Sequence, residues 1–279
     1  MKAGNEVEVE EQDGTLVIGP AATTAKKKEI TVEITETNRH DIHLILAHLY
    51  RMGFDVIKLK GVSAGLMGVI STVVKDQLLG FEITERDAKH CTVTNISEPT
   101  EEKYEVLLRR VFLIIKETQA FVKQDFKTGK FGSFKEIEEL RKQQDKFVYF
   151  CLRILTRERG QPIDWELLKF LMHIEHAYYY LYAYAAEHPF KPSSRVIELL
   201  DGLEQYFQIY YDAFYKKDMT MIYKMHKLKS EYQYGKCYRY LEQSKGRETI
   251  VLAHIRELFR LIQIGASPIL SGLFETALE

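Results

Sequence analysis

The sequence predicts a mainly α protein: a C-terminal pair of three-helix bundles, preceded by a small α+β module and an N-terminal β-hairpin. Two observations carry this. From residue 101 onward the apolar residues recur at helical spacing through long stretches without proline, and the whole chain of 279 residues holds only six prolines. Before residue 97, short runs that alternate apolar and polar residues are interleaved with two segments of helical period, in the order β-α-β-α-β-β.

The first runs are Glu6-Val7-Glu8-Val9-Glu10 and Thr15-Leu16-Val17-Ile18, with Asp13-Gly14 between them and Pro20 after. Asp-Gly tolerates positive φ at both turn positions, so residues 1–20 read as a hairpin. Residues 21–28 read as a linker with a small basic cluster, Lys26-Lys27-Lys28. A two-stranded hairpin is marginal in water, so it needs a partner chain or a docking surface.

The module covers residues 29–98. Ile30 to Ile34 alternates as a strand, and Asn38 is the expected cap of a helix over 41–52 that ends at Gly53. Asp55 to Leu59 is the second strand. Ser63 caps a second helix that ends at Gly80, and Phe81 to Thr84 and Cys91 to Thr94 close the sheet. Strands that alternate with helices of this length imply crossover connections and helices against one sheet.

Pro99 marks the next boundary, and the helical part divides into bundles at 99–190 and 191–279. The first helix spans about 101–127, with Leu107, Leu108, Val111, Ile114, Ile115 and Phe121 on one stripe. Gly129 and Gly132 break it, and Ser133 caps a second helix to about residue 159 whose stripe includes Ile137, Leu140, Val148, Cys151, Leu152 and Leu155. Asp164 is the expected cap of a third helix to about 188, and Ser193 or Ser194 of a fourth to about 216. The fifth covers 218–244, and the sixth runs 247–277 with a kink expected at Pro268. Short connections imply antiparallel neighbours.

Composition narrows the function. The chain is 46% hydrophobic and 28% charged, as folded proteins are, and its length is that of roughly two domains. A formal net charge of −1 argues against coating nucleic acid by bulk charge. No apolar run nears the roughly 18 residues of a bilayer span. Met1 to Glu6 lack the apolar core of a signal peptide. Cys91, Cys151 and Cys237 are far apart, without disulfide-framework or zinc spacing. A cytoplasmic location is expected.

Two sets of residues resemble known families. Lys2-Ala3-Gly4-Asn5-Glu6-Val7-Glu8-Val9, followed by Asp13-Gly14-Thr15-Leu16-Val17-Ile18-Gly19-Pro20, resembles the second half of an AbrB/SpoVT-type DNA-binding domain, with Asn5 at an aspartate position. Leu78-Leu79-Gly80-Phe81-Glu82-Ile83-Thr84, Asn95-Ile96-Ser97 and Leu107-Leu108-Arg109-Arg110-Val111-Phe112-Leu113 are similar to the archaeal type of PhoU-like phosphate uptake regulator. Such proteins carry an AbrB-type domain, a small α+β module and a helical PhoU region in this order. The resemblance implies a non-enzymatic regulator of phosphate uptake or homeostasis that acts through protein contacts, with a phosphate transporter or signalling component as partner; a homodimer through the hairpin or the α+β module is expected because the hairpin cannot stand alone. The alternatives are an AbrB-type DNA-binding transcription regulator and a metal-binding helical bundle. The chain starts after the half of the AbrB-type domain that brings basic residues to DNA, and Glu6, Glu8, Glu10 and Glu11 also count against DNA there.

PhoU bundles place a glutamate and an aspartate four apart on a core helix, so that both carboxylates share a face and can chelate a cation. Here Glu175 fits the first position but Tyr179 takes the second. In the other bundle Phe259 and Gln263 stand at the two positions, and only the arginine between them, Arg260, persists. The resemblance therefore implies metal sites that are lost or weakened.

The remaining candidates are local. His173 and His176, three apart with Glu175 between them, could ligate a metal with Asp145 or Glu138 from the second helix. Two partly exposed histidines on a charged helix face are the preferred reading, and no metal is assigned. Tyr178, Tyr179, Tyr180, Tyr182 and Tyr184 form a patch, and Tyr206, Tyr210, Tyr211, Tyr215, Tyr223, Tyr232, Tyr234, Tyr238 and Tyr240 follow. The core is expected to take most of them, and a partner-binding patch is the alternative. Lys216, Lys217, Lys224, Lys227 and Lys229 mix with Tyr215, Tyr223 and Met225, a combination found on phosphate-binding and membrane surfaces as well as on plain solvated helix faces. His40, His43 and His48 read as surface or edge positions. No nucleophile elbow, zincin motif or phosphate loop occurs. No catalytic residue and no cofactor is assigned, and an enzyme is not expected.

Overall fold

The structure is a computed structural model that describes residues 7–12, 15–20, 27–97, 101–158 and 160–278. It is mainly α, with a four-stranded sheet near the N-terminus and a helical region after it. The Asp13-Gly14 turn, most of the expected linker and the boundary proline Pro99 lie outside the described residues.

β1 (Val7–Gln12) and β2 (Thr15–Pro20) pair antiparallel, with Val9 opposite Ile18 and Gln12 opposite Thr15. The α+β module comprises β3 (Glu29–Glu33), α1 (Ile42–Arg51), β4 (Val56–Lys60), α2 (Ala64–Gln77), β5 (Phe81–Arg86) and β6 (His90–Asn95). Its strand order is β3-β4-β6-β5, with β3 parallel to β4 and the other pairs antiparallel. Ile57, Leu59, Cys91 and Val93 are buried, whereas Lys58, Lys60 and their neighbours point to the other face, so the sheet is covered on one side. The Ser63 hydroxyl accepts the Leu66 amide at 3.2 Å, as a cap should. Asn38 does something else than expected. Its Oδ1 accepts the Thr35 amide at 2.8 Å inside a 3-10 turn (Glu36–Asp41), and α1 starts only after it. A capping-box side chain closed an extra turn that the helical period did not reveal.

The helical region is α3 (Glu101–Thr128), α4 (Phe134–Arg157), α5 (Pro162–Glu187), α6 (Ser194–Lys216), α7 (Met219–Glu231), α8 (Cys237–Gln243), α9 (Arg247–Ile264) and α10 (Ala266–Leu278). α3, α4 and α5 pack on one another; α6 packs on α7 and α9, and α8 on α9. The two sets meet along α5 with α9 and α3 with α6.

Three expected boundaries move. α5 begins at Pro162 itself, because proline tolerates the first helical position, which puts Asp164 in the first turn rather than at the cap. The fifth predicted helix is interrupted by a π-turn at Tyr232–Lys236, a one-residue insertion in the helix. The sixth is not one kinked helix. α9 ends at Ile264, and Pro268 lies in the first turn of α10, where its missing N–H costs nothing.

The module is tied to the bundle by Arg153 of α4, only 1% exposed. Its Nη1 donates to the Tyr50 and Phe54 carbonyls at 2.9 and 2.7 Å, and its Nη2 to Asp55 Oδ1 at 2.6 Å. The guanidinium lies over the Tyr50 and Phe81 rings. Arg157 also donates to Asp55. The carbonyls belong to the C-terminal end of α1 and the turn after it, where Gly53 takes a positive φ of 81°, so a cation meets the negative end of a helix.

Candidate functional site

A cleft of about 630 Å³ between α5 and α9 brings three histidines together with a glutamate and an arginine. Its polar walls are His173, His176 and Tyr180 from α5, and His254, Glu257 and Arg260 from α9. Spacings of three and four on α5, and of three on α9, bring these side chains onto the facing stripes.

His176 Nε2 lies 2.8 Å from Asp145 Oδ1 of α4, and Asp145 Oδ2 accepts Arg141 at 3.0 Å. Arg141 in turn lies over the Tyr179 ring. Burial is the main cause that lowers the His173 pKa, helped by His176 and Lys169. Burial also lowers that of His254. Both rings are therefore neutral at pH 7. Across the cleft Arg260 grips Glu257 with two bonds, Nε to Oε2 at 2.8 Å and Nη2 to Oε1 at 2.7 Å, which holds that carboxyl below its ordinary range. The cleft thus offers two neutral imidazoles, one carboxylate–imidazole pair and one carboxylate–guanidinium fork.

Glu175 does not join it. It is fully buried on the opposite face of α5, where Oε1 accepts the Thr118 hydroxyl at 2.6 Å and Oε2 has no partner. Burial pushes its pKa up to about 8, so the carboxyl is protonated at neutral pH. Glu138 is also elsewhere, paired with Lys142 at 3.2 Å. Of the metal candidates only His176 and Asp145 touch, with His173 beside His176 in the cleft, and among the described residues no three His, Cys, Asp or Glu side chains are gathered to hold a metal ion.

Of the residues compared with the chelating positions of PhoU bundles, Phe259 and Tyr179 are packing residues. Phe259 is sandwiched between Tyr206 (ring centroids 5.7 Å apart) and Tyr232 (5.0 Å), and Tyr179 packs on Phe134. Gln263 lines a separate pocket beside α7 and α10. The core takes fewer of the tyrosines than expected: Tyr178, Tyr182, Tyr206, Tyr210, Tyr232 and Tyr240 are buried, Tyr179, Tyr184, Tyr211 and Tyr215 are half-buried against it, and Tyr180, Tyr223, Tyr234 and Tyr238 remain exposed. His40, His43 and His48 are exposed surface residues. The three cysteines are buried and free.

Sequence reasoning missed His254 and Glu257, because their place in the cleft depends on the docking of α9 on α5. Fold and site define the class: a mainly α protein in which a small α+β module is clamped to a helical region with a polar cleft between its two halves. No family model, curated protein or solved structure matches the chain. Among the described residues no helix is long and apolar enough to cross a membrane.

Proposed function

We propose that the protein is a cytoplasmic, non-enzymatic regulator of phosphate uptake in the manner of PhoU-like proteins, acting through contacts with a transporter or signalling component. The observation that supports it is the order and attachment of the units. A hairpin, a sheet module of the expected topology and a helical region follow one another, and Arg153 holds the module to α4. A rigid scaffold of this kind transmits a contact made at one end to the other without chemistry of its own.

The hairpin supports a homodimer, since two strands alone are marginal and a second copy can pair with them. Light scattering of the purified chain is then expected to give twice its 32.6 kDa mass.

The deciding test is phosphate uptake in the native host. Deleting the gene is expected to raise uptake of labelled phosphate when phosphate is plentiful, and re-expression of the chain restores restraint. Uptake that is unchanged by deletion under both plentiful and scarce phosphate overturns the reading.

A further inference from the structure

The geometry points to a binding ridge for single-stranded nucleic acid along α7 and α8. Residues 216–247 contain nine lysines and arginines against three acidic residues, a net +6 in a chain whose total is −1. The charge is therefore strongly segregated onto one stretch, and such a patch attracts polyanions whatever the net charge of the protein.

Part of this charge is spoken for. Lys216 pairs with Asp212, and Lys236 with Glu198 and Glu231. Lys224 and Lys227 are exposed, and neither forms an ion pair with a described residue. Lys224 reaches only the Met221 sulfur at 4.0 Å, and Lys229 lies over the Tyr234 ring.

The aromatic groups share the same face. Tyr223 is 65% exposed, Tyr234 48% and Tyr238 41%. With Lys227 they recur at separations that return to one side of a helix, over a length of about 22 Å. The π-turn helps to hold this stripe outward, because it buries two consecutive residues, Tyr232 and Gln233, on the other side. Tyr234 and Tyr238 stand 5.9 Å apart, and Arg256 clamps the Tyr238 hydroxyl at 2.8 Å. The ring is thus held in place before any ligand arrives.

Tyrosine rings between lysines suit a strand with unstacked bases: the rings stack with bases and the ammonium groups meet phosphates, without a need for sequence readout. A membrane surface fits less well. The large exposed side chains of this ridge are the three tyrosines, whose hydroxyls keep them at a polar boundary, and among the described residues no exposed leucine, isoleucine, phenylalanine or tryptophan stands beside them to enter an acyl layer. The proposal is independent of the phosphate reading, since it concerns a different surface and a different ligand.

The test is fluorescence anisotropy of the full chain with a labelled 20-mer of oligothymidylate or oligouridylate, over a salt series. Binding is expected at low salt, with log K falling at a slope of about −2 as log salt rises. The exposed double variants Tyr223→Ala/Tyr234→Ala and Lys224→Glu/Lys227→Glu are each expected to weaken it about tenfold or more, with an unchanged circular dichroism spectrum. Four results overturn the proposal: no binding at low salt; binding that both variants retain; a duplex of the same length bound as tightly as the single strand; or phosphatidylserine vesicles bound where the oligonucleotides are not.

Discussion

The two halves of the helical region are built on different principles. The half formed by α3, α4 and α5 buries polar groups with specific partners: Thr118, Gln119, Gln144, Asp145, Arg153 and Glu175 are all at most 8% exposed. Gln119 Nε2 donates to the Tyr178 hydroxyl at 2.7 Å, and Gln144 Nε2 to the Leu171 carbonyl at 3.1 Å. In the half formed by α6 to α9, Gln233 is the one buried polar residue of this set among the described residues. Packed rings take over there, with Tyr232 flat on Phe259 and Phe207 against Tyr210. Along the seam Phe112 of α3 touches Phe207, Tyr211 and Phe214 of α6. One half is specified by hydrogen bonds, which punish a wrong partner. The other is specified by shape, which punishes a wrong volume. Mutations should separate the two.

The largest effect is expected at Arg153. Arg153→Ala leaves the Tyr50 and Phe54 carbonyls without their buried donor and Asp55 with Arg157 and the Lys28 amide, and stripping a buried acceptor of its donor costs about 1–3 kcal/mol each. Denaturant unfolding is expected to show the loss, and to split into two transitions as the module unfolds ahead of the bundle. A loss below about 1 kcal/mol with a single transition would break the contrast, since it would mean that water replaces the guanidinium at little cost.

Glu175 sharpens the same side through pH. Its pKa in the fold, about 8, lies above the ordinary 4.5, so the folded state holds a proton that the unfolded state has lost. The stability linked to this proton is complete below about 4.5 and is lost as pH rises through about 8, at a slope of at most about 1.4 kcal/mol per unit. Glu175→Gln cannot ionise and is expected to flatten that slope, as measured by urea unfolding at pH 5 to 8.5. Equal slopes in both proteins would show that the carboxyl ionises freely inside the bundle.

On the aromatic side the sensitive position is Gly202 of α6. A Cβ there would stand 2.5 Å from the Tyr232 ring, and that ring is held in place by Phe259 behind it. Gly202→Ala, which normally favours a helix, is here expected to cost about 1–3 kcal/mol through overpacking. A rise in thermal midpoint would mean that the ring can move aside, and the case for shape specification would fall.

What the sequence revealed divides along similar lines. Elements with a local cause were legible: the Ser63 cap, the Gly53 helix end, the alternating strands of the module, and the stripe of Leu108, Val111 and Ile115 that α3 buries. Breaks that depend on tertiary packing were not. The π-turn has no pattern of its own, and it is needed so that Tyr232 and Gln233 both face inward. Pro268 was visible, but whether it kinks a helix or starts a new one depended on how α10 folds back onto α5. Arg153 could have been noticed as a lone cation between Leu152 and Ile154 in an apolar run, which is where a buried charge with a partner sits. The candidate site was half legible. His173, His176 and Asp145 were named together, while His254 and Glu257 come from a helix some eighty residues away whose docking face periodicity alone cannot pair with α5.

The cleft between the halves supplies the smallest and most local test, because there the two modes of construction meet. His173, on the exposed rim of the cleft, and the half-buried His254 have pKa values below the ordinary 6.5, with desolvation of the ring the first cause in each. A lowered folded value means that the unfolded chain takes up the proton first. The related stability is present above about 6.5 and is lost as pH falls through the folded values, opposite in sign to the Glu175 effect. Side-chain NMR titration is expected to place both midpoints below 6.5, and His254→Gln is expected to remove one transition while shifting stability at pH 7 by only tenths of a kcal/mol. If His173 instead titrates above 6.5, the cleft admits enough water or negative charge to support imidazolium. The α5–α9 seam would then be a solvated groove, and the boundary between the hydrogen-bonded and the aromatic half would lie elsewhere, along the rings that join Phe112 to α6.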